Sequence, residues 1–405
     1  MSPGGAPAAA PRAGPDASET RAWLRAALDP ARVAAAKAAL QRLFDEATRS
    51  DRLLILGSAA LPRRILSAIQ AEGGRVAALI EYAPRFWGQS IAGVPVLPVD
   101  EALARSGPDP VVIVGIWSPG HSFAASRRWL ASRGIRHILP PMAAFWRWGE
   151  RIGPHYQLAG PEPLLQSAAR ILAVHDALAD AESRAHYAGV IAARLTFDPA
   201  TLPRPDPLAI YFDRTLLRLP EDAVLVDAGA YRGDTLEGFL RWHGPRFDRY
   251  LAFEPDPISA AALREMVAAL PPDIGRRIAI TEAALGAAPG RLRLTPTGTP
   301  GTRPDAAGST EVPLLAVDDV LAGGRLDALK LDTEGAEAAV LAGAARSISR
   351  HRPALLVSIY HHPTDVFTLA ETAMTLLPEA ALFVRAHDED GIDLVLYAIP
   401  RRLQP

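Results

Sequence analysis

The chain has no cysteine among its 405 residues. That excludes disulfides, thiolate nucleophiles and Cys-ligated zinc, and leaves histidine and carboxylates as the ligands any metal would need. It also fits a reducing compartment, so a cytoplasmic location is expected. Excess charge of either sign is lacking too. With 43 basic and 45 acidic residues the formal charge is -2, which offers no general attraction to nucleic acid or anionic lipid. No apolar run reaches the roughly 18 to 20 residues of a membrane-spanning helix. The opening "MSPGGAPAAAPRAGPDASET" lacks the basic start and Leu-rich centre of a signal peptide, so residues 1–20 are expected to be a disordered tail.

What is present is enough chain for two domains. Residues 21–50 read as a helical lead broken near Pro30. From "RLLILG" onward, compact apolar runs ending in glycine alternate with helical spacing, which predicts a Rossmann-like accessory domain over 51–150. Residues 151–210 read as a helical connector and a Pro-rich linker. A second α/β run fills 211–400. Its last two strands, "ALFVRAH" and "DLVLYAIP", are separated only by "DEDGI", too short for a parallel crossover and right for an antiparallel hairpin.

Three stretches carry chemistry. In "VLVDAGAYRGDT" a buried strand ends at Asp227, a turn holds Gly229 and Gly233, and Asp234 and Glu237 are spaced like a capping box. Glycine there lets a nucleotide's ribose or amino-acid part lie against the backbone at a helix N-terminus. Tyr231 inside the loop departs from the dinucleotide fingerprint. Glu254 ends the next strand, about 20 residues on, where an acid accepts both ribose hydroxyls of a nucleotide. Glu282, one strand further, is placed to meet an adenine edge. In "LKLDTEGAE" a buried strand delivers Asp332, Glu334 and Glu337 almost at once. Like charges this close repel, which a simple turn would avoid.

The ordered set "DAGAYRGDT", "FEPDP", "ALG", "LKLDTEGAE" with "VLAGA" behind it, and "YHH" resembles the FkbM-type S-adenosylmethionine-dependent methyltransferases over about residues 211–400. The resemblance implies a seven-stranded methyltransferase sheet and O-methyl transfer, with a sugar hydroxyl of a glycan or natural product as favoured acceptor. It implies that Asp227, Gly229 and Gly233 hold the methionine part of S-adenosylmethionine and Glu254 its ribose. Tyr231, Asp234 and Thr235 of the same turn, and Pro255 and Asp256 beside Glu254, count among the cofactor-binding positions. Asp332 and Glu334 match the acidic motif after the fourth strand. The first domain lies outside the resemblance.

In a parallel sheet the ligand crevice lies beyond the C-terminal strand ends, so Asp332, Glu334 and His361 are expected to converge near the glycine turn as the catalytic group. Methyl transfer from a sulfonium requires removal of the acceptor's proton. His361 is the expected base, since its unperturbed pKa lies at about 6.5, with Asp332 orienting the acceptor. Oxygen-rich clusters suit Mg²⁺, but no spacing compels a metal here and none is assigned. Glu337 reads as favouring the positive end of the following helix, and "RAHDEDGID" around His387 as a solvated loop. In the first domain, Gly57, Ser58, Trp117 and His121 lie at strand ends where a nucleotide, a sugar or a partner chain could sit. Trp146 and Trp148 read as domain-junction packing. A nicotinamide-dependent oxidoreductase or epimerase would require a glycine fingerprint that is missing. A non-catalytic cofactor-binding scaffold is the other alternative.

Overall fold

The computed structural model describes residues 17–405. The expected tail therefore lies outside the described residues up to 16, and Ala17 already opens a helix, Ala17–Ala27. A second lead helix, Pro30–Arg49, starts where the break was expected. Asp29 accepts the N–H of Ala31 at 2.9 Å, and Pro30 takes a first-turn position whose missing N–H costs nothing.

The first sheet holds β1 (Leu53–Leu56), β2 (Ala78–Ile80), β3 (Ser90–Ile91), β4 (Val94–Leu97), β5 (Val111–Val114) and β6 (His137–Leu139), in the order β3-β4-β2-β1-β5-β6. All pairs are parallel except β3 with β4. Its centre, β1, is buried at all four positions, the pattern of a strand covered on both faces.

The second sheet has seven strands: β7 (Val224–Ala228), β8 (Arg249–Phe253), β9 (Ile278–Thr281), then β13, β14, β15 and β16. Between β9 and β13 the chain forms a small separate sheet of β10 (Ala284–Leu285), β11 (Gly290–Leu294) and β12 (Thr310–Leu315). The large sheet resumes with β13 (Ala328–Leu331), β14 (Ala354–Ser358), β15 (Ala381–Ala386) and β16 (Leu394–Ile399), in the order β15-β16-β14-β13-β7-β8-β9. Strands β15 and β16 form the expected antiparallel hairpin. The order reverses between β7 and β13, which places the ligand crevice at their C-terminal ends.

The 151–210 segment does more than tether. Helix Ala181–Thr196 packs on β15, where Asp180 pairs with Arg385 at 2.7 Å and Ser183 Oγ accepts the N–H of Val384. Helix Ala17–Ala27 packs against this helix and Ala168–Ala177. One apolar cluster runs from Trp23 and Phe44 through Trp146 and Tyr187 to Leu329 and Val357, so both sheets share a continuous core. Trp146 meets Phe197 edge-on at 4.6 Å, and Trp148 lies 4.7 Å from Phe44.

Candidate active site

The glycine turn after β7 is fixed from beneath. Gly229 has φ +81°, and a Cβ there would lie 1.9 Å from the Asp332 carbonyl oxygen, so no side chain fits. The turn after β7 and the acidic turn after β13 are thus in direct backbone contact. Lys330, 1% exposed, donates to the Gly229 carbonyl at 2.7 Å and pairs with Asp227 Oδ1 at 2.9 Å. Tyr250 donates to Asp227 Oδ2 at 2.6 Å. Asp227 is therefore a buried anchor of the turn rather than a group facing the crevice. Lys330 escaped the sequence reading, although a lysine inside the apolar run "LKL" was a signal that a buried carboxylate awaited it.

Glu254 is 7% exposed and accepts the N–H of Tyr231 at 2.8 Å on one oxygen and that of Asp256 at 2.8 Å on the other. Burial pushes its pKa up to about 7, against the pull of those two N–H groups. Each oxygen keeps lone-pair capacity for one more donor, which is what a vicinal diol requires. Asp256 caps helix Pro257–Ala268 and also accepts the N–H groups of Thr297 and Gly298, each at 2.9 Å, and the Thr302 hydroxyl. It thereby draws the 297–302 loop over the turn, where Tyr231 and Arg232 both donate to the Gly298 carbonyl.

Other expected positions do different work. A Cβ on Gly233 would meet Leu263 at 2.9 Å, so this glycine permits helix packing. Gly233 itself is the N-cap of helix Asp234–His243 and no side chain caps it, so the expected Asp234 capping box does not form. Thr235 is buried in the first turn. Pro255 carries the chain from Glu254 to Asp256. Glu282 lies toward the surface, paired with Arg264 at 2.8 Å.

The acidic turn does converge on His361, which is fully buried. Its Nε2 lies 3.3 Å from Asp332 Oδ1 and 3.9 Å from Glu334 Oε1, and its Nδ1 lies 2.9 Å from Glu337 Oε1. Glu337 also accepts the N–H and hydroxyl of Thr333, at 2.7 and 3.0 Å, and so braces the turn as well as the histidine. Burial favours a neutral ring, but the facing carboxylates outweigh it and raise His361 to about 9. Burial likewise works against charge on Glu337, yet His361 and the N–H donors hold its pKa down to about 2. This corrects the expectation of a base with an ordinary imidazole pKa: at neutral pH His361 already carries its proton. Asp332, Glu337 and His361 bring three donor atoms within 4.8 Å of one another, a set that includes Glu337 where the sequence pointed to Glu334. The imidazolium balances that cluster.

Two remote segments complete the crevice. Tyr211 donates to Asp332 Oδ2 at 2.9 Å and contacts Ser358 Oγ at 3.0 Å, leaving Asp332 Oδ1 without a hydrogen bond. Tyr156 stacks 6.2 Å from Tyr360 and lies tilted 5.9 Å from His361, and Arg303 lies over its ring at 4.2 Å while reaching Glu334 at 3.4 Å. Glu334 has φ +56°, an unusual conformation for a residue with a side chain, of the kind that collects at functional sites.

The first domain faces this region. Trp117 packs 4.9 Å from Tyr156 and 6.4 Å from Tyr360. Gly120 and Phe123 donate their N–H groups to Asp388 and Asp390 at 2.8 and 2.9 Å. The "IWSPGH" turn is thus engaged with the 387–393 loop. That loop is not the solvated one expected: His387 is 2% exposed and contacts the Asp206 carbonyl and the Tyr397 hydroxyl. Gly57 and Ser58 are likewise engaged within their own domain, Gly57 against Pro62 and Ser58 with Glu81.

The His361 charge has a measurable consequence. A folded-state pKa of about 9, above the unfolded value of about 6.5, means that the ion pair's contribution is fully present below pH 6.5. It is lost as pH rises through 9, and amounts to on the order of 3 kcal/mol. Urea unfolding from pH 6 to 10 should show this fall in the native chain, and His361→Gln should flatten it. An unchanged slope in the variant would remove His361 as its source.

Comparison with known proteins adds three findings. The methyltransferase FkbM domain model matches residues 227–387. The crystal structure of a methyltransferase FkbM from Methylobacillus flagellatus KT superposes with a TM-score of 0.76 at 22% identity, over 95% of this chain and 100% of that one. At that identity the likeness is one of fold, and it extends over the first domain. Aeropyrum pernix fibrillarin, solved with natively bound S-adenosyl-L-methionine, matches at 17% identity over 47% of this chain and 74% of its own, with a TM-score of 0.30. The search of curated proteins returned no match. Among the described residues no helix is long and apolar enough to cross a membrane.

Proposed function

We propose, from the premise that residues 227–387 form a methyltransferase FkbM domain, that the protein methylates a hydroxyl group with S-adenosylmethionine as donor. The observation that carries this reading is the backbone contact between the glycine turn and the acidic turn, with the carboxylates of Asp332 and Glu334 gathered at His361.

The residues suit the cofactor on two counts. Glu254 has spare acceptor capacity for a ribose diol, and Gly229, at φ +81°, lets its turn close against the Asp332 backbone so that the two strand ends bordering the crevice meet. When bound, the cofactor supplies an electrophilic methyl group on a sulfonium. The chain must then hold an acceptor oxygen in line and take its proton as the bond forms. Asp332 is the group we assign to that proton: its Oδ2 is fixed by Tyr211, and its Oδ1 faces the His361 imidazolium at 3.3 Å. His361, already protonated, is a positioning residue that fixes Asp332 and offsets the neighbouring carboxylates. Glu334, anchored by Arg303, is left to orient the acceptor. A sugar hydroxyl as acceptor rests on the family resemblance alone.

The test is methyl transfer from labelled S-adenosylmethionine to a panel of glycan and small-molecule alcohols. Asp332→Asn should lower turnover by roughly 10²- to 10⁴-fold, the usual worth of a general base, while cofactor affinity stays near native. Turnover within a few-fold of native would pass the proton to another group.

A further inference from the structure

Between β11 and β12 the chain leaves its small sheet for a long excursion, residues 295–309. The base of that excursion is clasped. Leu294 bridges to Pro304, the Asp305 N–H donates to the Arg293 carbonyl at 2.8 Å, and the Thr295 hydroxyl donates to Asp305 at 2.9 Å. Beyond the clasp the tip, 296–303, is tied to itself, since the Thr297 hydroxyl meets those of Thr299 and Thr302 at 2.8 and 2.9 Å. Of its residues only Gly298 is buried. A segment closed at its base, braced within and covering almost no apolar surface can swing as a unit, because few contacts oppose its opening.

Polar contacts at two places hold the tip down. At the first, a single oxygen, Asp256 Oδ2, accepts the N–H groups of Thr297 and Gly298 and the Thr302 hydroxyl, each at 2.9 Å, while the Gly298 carbonyl accepts from Tyr231 and Arg232. These anchors belong to the cofactor end of the crevice, because the N–H groups of Tyr231 and Asp256 are the two that Glu254 holds. At the second, Arg303 lies over the Tyr156 ring and reaches Glu334 at 3.4 Å, and a Cβ on Gly301 would meet the Tyr156 hydroxyl at 2.7 Å. The tip therefore spans from the glycine turn to the acceptor side and is fastened at both.

We propose that residues 296–303 form a strap that opens to admit S-adenosylmethionine, closes by latching on Asp256, and in closing sets Arg303 against Glu334, so that the cofactor binds before the acceptor. The proposal rests on the methyltransferase reading and extends it to the order of binding. A ribose held by Glu254 would stiffen Tyr231 and Asp256, the residues from which the latch hangs, and so favour the closed strap. Release of the product cofactor then waits on opening, as with other lids that sequester a site.

Amide hydrogen exchange of the full chain with and without S-adenosylhomocysteine tests it. The ligand should slow exchange at Thr297 and Gly298 and, at the far end of the strap, at Arg303. Stopped-flow binding gives a second readout. Thr302→Val and Arg232→Met each remove one latch contact, and each should speed both association and dissociation of S-adenosylhomocysteine by about 3- to 10-fold, the usual worth of one hydrogen bond, with Kd nearly unchanged. A side chain that merely held the ligand would alter dissociation alone. Binding that leaves exchange at the strap unchanged, or variants that change only the dissociation rate or neither rate, would overturn the strap and leave the methyltransferase reading standing. Protection confined to Thr297 and Gly298 would overturn the link to the acceptor side. No binding at all would sink the methyltransferase reading and the strap with it.

Discussion

S-adenosylmethionine and S-adenosylhomocysteine should each raise the unfolding temperature of the purified protein by several degrees, and Glu254→Ala should erase both shifts. A ligand at about 100 times its dissociation constant adds roughly 2.7 kcal/mol to the stability of the state that binds it. Glu254 would contribute two hydrogen bonds from a charged acceptor, at about 1.5 to 3 kcal/mol each, so its removal should weaken binding by at least about 100-fold. The pH dependence has a definite sign. The carboxylate must be ionised to accept both hydroxyls, and burial sets its pKa at about 7. Affinity should therefore rise with pH, by up to about tenfold per unit below that value, and Glu254→Gln should lose the slope. NADH is the control. A shift with NADH and none with the sulfur ligands would overturn the methyltransferase reading.

The second large effect is expected at Lys330→Met, which should destabilise the fold by about 3 to 5 kcal/mol, the cost of leaving one partner of a buried pair charged and alone. Asp227 is fully buried, and without the ammonium it keeps only the Tyr250 hydroxyl and loses its counter-charge. Adding Asp227→Asn to Lys330→Met should return much of the loss, because the double variant buries no unpaired charge. Urea unfolding of the single and double variants gives the coupling directly. A single variant less than about 1 kcal/mol below native, or strictly additive losses, would mean that the pair does not hold the turn. Cofactor binding should weaken in the single variant even where it is folded, since Lys330 also fixes the Gly229 carbonyl.

Both predictions rest on residues of very different legibility. Glu254 could be read from the chain because a strand, a glycine turn and an acid at the next strand end form a local pattern with a known chemical use. The same holds for Asp332, Glu334 and His361, which sit at the ends of apolar runs. The hairpin β15–β16 was legible from the five residues between two strands. Lys330 was not legible as a partner, because its contacts are with Asp227 and Gly229, 101 residues away from it in the second case. Tyr211 reaches Asp332 across 121 residues, and Tyr156 and Arg303 enter from the connector and from the loop between β11 and β12, where no local pattern points to the site.

By itself, then, the sequence determined the alternation of strands and helices, the two sheets, the strand-end acids and their likeness to a methyltransferase. These follow from periodicity and turn chemistry, which act between near neighbours. Tertiary structure decided the protonation of His361, since three carboxylates surround it only after β13 and β14 pair. It also decided that Asp227 anchors the turn instead of facing the crevice, and that the first domain's "IWSPGH" turn is engaged with the 387–393 loop. Burial and pairing set the charge state and availability of each group, and both depend on which distant segments pack together.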